Sequence, residues 1–149
     1  MKLRLFIVSF VFCALLLGCH KPDDKAPELP LSLLHDTLVG IDSLLQTDYT
    51  VALERLEPFT DGLDTENLTD FDINYALLMK SEALWKSPRM EEIDFEAVAL
   101  TTAYFDSLAP AFPKNDDLAY LQARAHFIYS RKGMTDDLAN AKKDSLFQC

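Results

Sequence analysis

Glycine is scarce in this chain, at 4 of 149 residues. Turns that need positive φ are correspondingly few, which argues against a fold of many tight hairpins. The sequence lacks GxSxG, HExxH, CxxC and any glycine-rich phosphate loop, so no nucleophile, zinc or nucleotide site is spelled out. Basic residues are also few, 14 against 24 acids, for a net charge of -10. Such a surface repels phosphate backbones and excludes nucleic acid as a partner. Long apolar runs are missing too. The longest, Leu5 to Leu17, falls short of the roughly 20 residues a membrane-crossing helix requires.

That short run has another use. Lys2 and Arg4 precede it, and it ends in Leu16-Leu17-Gly18-Cys19. Basic flank, length and the small residue before the stop fit an export signal. The final four residues resemble the lipobox of bacterial lipoproteins. The resemblance implies that residues 1–18 are removed, and that Cys19 becomes the first residue, carrying diacylglycerol on its thiol and a further acyl chain (palmitate, for example) on its amine. Each buried CH₂ contributes about 0.8 kcal/mol, so several chains anchor a protein stably where one does not. Residues 19–30, with three prolines and mixed charge, read as an extended tether. His20 stands where some inner-membrane lipoproteins carry aspartate, which points to the outer membrane. Lys21, Asp23 and Asp24 are similar to a surface-export tag of Bacteroidota, and the periplasmic and surface faces both stay open. Loss of Lys2 and Arg4 takes the net charge to -12, and Cys149 is then the lone free thiol, with no intrachain disulfide.

Apolar residues downstream recur at helical spacing. Leu34, Leu38, Ile41 and Leu45 mark a first helix, and Val51 to Leu56 a second, closed by Pro58. Thr69 is placed to cap a third, with Asp70 and Asp72 in its first turn and Ser87-Pro88 at its end. Phe95, Val98, Thr102, Phe105 and Ala109 form the stripe of a fourth, stopped by Pro110 and Pro113. Asn115 caps a fifth, which Gly133 is placed to terminate. Thr135 then caps a sixth, through Leu138, Ala141 and Leu146. The expectation is all-α. A second stripe on the fourth helix (Ala97, Leu100, Tyr104, Leu108) predicts burial on two sides, as stacked hairpins require.

Gly40, Ala52 and Leu56 fall at tetratricopeptide-repeat spacing, and so do Tyr129 and Gly133. Asp36 replaces the family's aromatic, Phe59 a small residue, and Leu138 precedes Ala139 where the helix alanine belongs. With these departures, residues 31–147 of a domain spanning 31–149 resemble divergent tetratricopeptide-repeat-like lipoproteins of Bacteroidota. The resemblance implies a stack of about three antiparallel helical hairpins, the alternative being an irregular helical bundle. It also implies a concave groove lined by the first helix of each pair, here Leu34, Ile41, Leu45, Tyr120 and Phe127. These are apolar, so the expected partner is a protein segment or amphipathic helix; the same residues as plain core are the competing reading.

No cofactor or metal is called for. His20, His35 and His126 are scattered, and Asp70-Phe71-Asp72-Ile73-Asn74 opens like a calcium loop, but Tyr75 and Ser81 replace its required glycine and glutamate. Glu91, Glu92, Asp94 and Glu96 read as partners of a helix dipole rather than an acid–base pair. Asp36-Thr37-Leu38, Asp42-Ser43-Leu44, Asp106-Ser107-Leu108 and Asp144-Ser145-Leu146 resemble an O-glycosylation motif, against the plainer reading of amphipathic helix. The function expected is a membrane-tethered binding scaffold in the outer membrane. The alternatives are the N-terminal part of a longer repeat lipoprotein, or an envelope enzyme.

Overall fold

The computed structural model describes residues 27–62 and 65–137. Among them the chain is all-α, with α1 (His35–Leu44), α2 (Tyr49–Thr60), α3 (Asp70–Lys86), α4 (Phe95–Leu108) and α5 (Asp116–Tyr129). Short 3-10 turns occupy Thr65–Asn67 and Met90–Glu92, residues 132–137 are again helical, and no strand occurs among the described residues. The lipobox, most of the tether, and Leu138, Ala141 and Leu146 lie outside them.

Side chains set most helix starts. Asp48 accepts from the amides of Thr50 and Val51, both at 3.1 Å, and opens α2. Thr69 accepts from Asp72 N at the start of α3, and Asn115 from Leu118 N at the start of α5. Asp94, one of the four acids around the start of α4, accepts from Glu96 and Ala97 N. Each such cap is worth about 1 kcal/mol. Among the others, Glu92 forms a bidentate pair with Arg89.

Three expected boundaries are corrected. α2 runs through Pro58 to Thr60, because a proline in the last turn removes one bond while Phe59 gains burial behind it. The glycine that ends a helix is Gly62, at φ +91° just after α2. Gly133 has no positive φ and lies inside the 132–137 helical segment; α5 has already closed, with Ser130 N bonding back to His126 O. Thr135 is within that segment rather than at its cap, and its hydroxyl donates to Lys132 O at 2.8 Å.

Packing centres on α3, which touches all four other helices. Phe71, Tyr75 and Leu78 form one buried stripe, and Ala76, Met79 and Ala83 another. The helix buried on two sides is therefore α3. On α4 the second stripe stays open, with Ala97, Tyr104 and Leu108 half-buried and Leu100 exposed. α1 and α3 run parallel, tied near their starts by His35 and Asp72 and near their ends by Lys86 Nζ on Leu45 O at 3.0 Å. α5 lies parallel along the other side of α3, with Arg124 beside Tyr75 and Glu82 and Arg131 beside Trp85.

Asp72 sits at this junction, fully buried. Its carboxylate accepts from Ser32 N at 2.6 Å, Thr69 Oγ1 at 3.1 Å and His35 Nδ1 at 2.6 Å. It is less a dipole partner than a peg that pins the entry segment, Leu29 to Leu34, onto α3. Asp72→Ala should strand those donors and cost roughly 2–3 kcal/mol. Limited proteolysis checks the local effect. Cleavage next to exposed Leu33 should quicken well before the rest of the domain becomes susceptible.

Candidate functional site

Between the parallel helices α1, α3 and α5 lies a cleft of about 360 Å³. His35, Val39 and Asp42, at helical spacing, face it from α1; Tyr75 from α3; Tyr120 and Arg124 from α5. Leu31 of the entry segment closes one edge.

The floor is an ion network. Arg124 donates two bonds to Asp42, Nη1 to Oδ2 and Nη2 to Oδ1, each 2.7 Å. It donates two more to Glu82, from Nε at 2.9 Å and from Nη2. Burial works against the charge on Arg124. The hydrogen bonds and charges of Glu82 and Asp42 outweigh it and hold the guanidinium even more firmly protonated than usual. Tyr75 donates its hydroxyl to Asp42 Oδ2 at 2.6 Å. Burial, then the bond to and charge of Asp42, push its phenol well above the ordinary tyrosine range. The Arg124 guanidinium also stacks on the Tyr120 ring, 5.2 Å from its centroid.

Arg124, Asp42 and Glu82 are bound to one another. His35 is oriented by the buried Asp72, and among the described residues that line the cleft the hydroxyls are the phenols of Tyr75 and Tyr120. Among the described residues no cluster of His, Cys, Asp and Glu is placed to hold a metal. The Asp70–Asn74 stretch forms the start of α3, where Asp72 turns inward.

The five groove residues taken from the sequence are divided. Ile41 and Leu45 are core residues, 4% and 2% exposed, and Leu34 packs half-buried against them. Tyr120 and Phe127 stand on the surface of α5, 61% and 47% exposed. The reason is angular. One residue turns a helix by about 100°, so the stripe Leu34-Leu38-Ile41-Leu45 meets α2 and α3 while the neighbouring stripe His35-Val39-Asp42 faces the cleft. His126 pairs on the surface with Asp106, 3.1 Å from both oxygens. Thr37, Ser43 and Ser107 are exposed, but Ser43 and Ser107 donate to their own helix backbone.

Sequence reasoning missed the Asp42–Arg124–Glu82 network. Its trace was the charge asymmetry, ten acids against Arg55 alone between Asp36 and Asp72, and basic residues beginning at Arg124 in the last stretch. No known family, curated protein or solved structure matches the chain. Among the described residues no helix is long and apolar enough to cross a membrane.

Proposed function

We propose that this chain is an outer-membrane lipoprotein, anchored through Cys19, whose helical domain is a tetratricopeptide-repeat-like scaffold for a partner protein segment. The observation that carries the scaffold reading is the cleft between α1, α3 and α5. In the hairpin stack that the resemblance implies these would be the first helices of the three pairs, and the cleft has exposed Leu31, Val39 and Tyr120 around a floor already fixed by ion pairs. A rigid polar floor with an apolar rim favours binding, since little is reordered when a partner seats. The anchor rests on Leu16-Leu17-Gly18-Cys19 behind its apolar run.

Two experiments test the two halves. In cells fed a labelled fatty acid the protein should take up label, and Cys19→Ala should abolish it and leave the unprocessed precursor; label persisting in the variant refutes the anchor. A photo-crosslinking residue in place of Tyr120 should give a discrete adduct in intact cells. The same residue in place of Leu100, exposed on α4, should not. Equal labelling from both positions, or from neither, refutes the cleft as the binding surface.

A further inference from the structure

The outward stripe of α5 repeats a pattern. Tyr120, Arg124, Phe127 and Arg131 follow at steps of four, three and four, so aromatic and guanidinium groups alternate from α5 into the turn that follows it. α3 supplies a second ring to each arginine. Arg124 lies 5.2 Å from the Tyr120 centroid and 6.0 Å from that of Tyr75. Arg131 lies 4.5 Å from Phe127 and 5.8 Å from Trp85.

The two arginines differ in what they bond. Arg124 meets two carboxylates, one from α1 and one from α3. Arg131 meets none among the described residues. Its side-chain polar contact there is Nη1 to Met134 Sδ at 3.7 Å, and its Nε is buried with no acceptor. α1 supplies Asp42 to the first unit and ends at Leu44, too early to serve the second. An aromatic-flanked guanidinium is pre-oriented and partly desolvated, the condition in which a carboxylate binds it most strongly. Lys86 and Lys132, next in sequence to Trp85 and Arg131, are exposed and form no ion pair among the described residues. Lys86, Arg131 and Lys132 thus bring three positive charges to this end of the α5 face, with Asp136 and Asp137 exposed further along the 132–137 segment.

We propose that Arg131, held between Trp85 and Phe127, receives an aspartate or glutamate side chain from an amphipathic partner segment whose apolar residues lie on Phe127 and Tyr120. This rests on the scaffold reading and names the partner's chemistry: a carboxylate at fixed spacing from apolar side chains, rather than a basic or wholly apolar segment.

The test uses the full lipidated chain in detergent and a displayed library of random peptides of roughly twelve residues, about three helical turns. Selected peptides should carry Asp or Glu at constant spacing from apolar residues. Arg131→Gln should weaken them about tenfold, as should replacing the peptide acid by its amide, and the two changes together should cost little more than either alone. Arg131→Lys should keep part of the affinity, and Tyr120→Ala should weaken the acid and amide peptides alike. If no peptide is selected against the unmodified chain, the scaffold reading itself fails. If peptides are selected without an acid, or acidic peptides ignore Arg131→Gln, the scaffold stands and the carboxylate site is overturned. A melting temperature lowered by Arg131→Gln as far as by Arg124→Gln would mean that the chain's own residues already fill the site. A change in oligomeric mass would assign it to a second copy. Either result overturns an external partner.

Discussion

Arg124→Gln should lower the unfolding free energy by about 3–5 kcal/mol. Asp42 and Glu82 are 19% and 15% exposed at their side chains, and Arg124 is 10% exposed between them. Removing the guanidinium leaves two poorly solvated carboxylates facing one another, with Tyr75 still held on one of them. Glutamine returns at most part of the hydrogen bonding and none of the charge. For a domain of this size the melting temperature should fall by about 12 °C or more. The penalty belongs to the stranded acids rather than to the lost arginine. Adding Asp42→Asn and Glu82→Gln to Arg124→Gln should therefore recover much of it, which independent contributions would not allow. Thermal melts of the single and triple variants decide the point. A loss below about 1 kcal/mol in the single variant would mean that solvent screens the network as it does an exposed pair.

The contrast between local and distant signals explains what could be read in the sequence. Thr69, Asn115, Ser87-Pro88 and Pro110 act on their own helix ends, and the boundaries they mark agree with α3, α4 and α5. Gly133 misled for the same reason. A glycine after a helix is a local stop only if the backbone there turns left-handed, and Ser130 had already closed α5 through His126 O. Gly62, which does turn left-handed, stands between Asp61 and a stretch with no apolar periodicity to frame it.

The cleft was harder to read because it joins residues far apart in sequence. Asp42 and Arg124 are separated by 82 positions, and each alone looks like an ordinary charged residue on a helix face. Spacing identified the apolar stripe of α1 but not which neighbouring stripe would be left for the cleft; that depends on where α2 and α3 pack. Charge asymmetry along the chain gave the one long-range clue, since an acid-rich first half and arginines in the last stretch can neutralise each other only by folding together. The proposed membrane attachment is the reverse case. Its signal is wholly local, in four residues around Cys19, and owes nothing to the packing of the helices.

Ile41→Glu should all but abolish the fold, whereas Phe127→Gln should change stability by about 1 kcal/mol or less. Both residues were candidates for one apolar groove, and the structure separates them. Ile41 is enclosed in the cluster that also holds Leu38, Leu45, Ala52 and Leu56. A carboxylate there loses its water, and the Arg124 guanidinium is already committed to Asp42 and Glu82. An unpaired buried charge costs several kcal/mol, against a total stability of only about 5–15 for a domain. Phe127 has its ring half in solvent, over Arg131, so its removal forfeits little more than that stacking, about 0.5–1 kcal/mol. Glutamine rather than glutamate is the informative replacement at 127, because a new carboxylate one turn before Arg131 would pair with it and mask the loss. Circular dichroism melts read both outcomes directly. Ile41→Glu should show lost helicity or a broad, early transition, and Phe127→Gln a cooperative melt close to that of the unmodified chain. A cooperative, scarcely shifted melt for Ile41→Glu would return Ile41 to an open groove and require α1 to be turned by about one residue relative to α3.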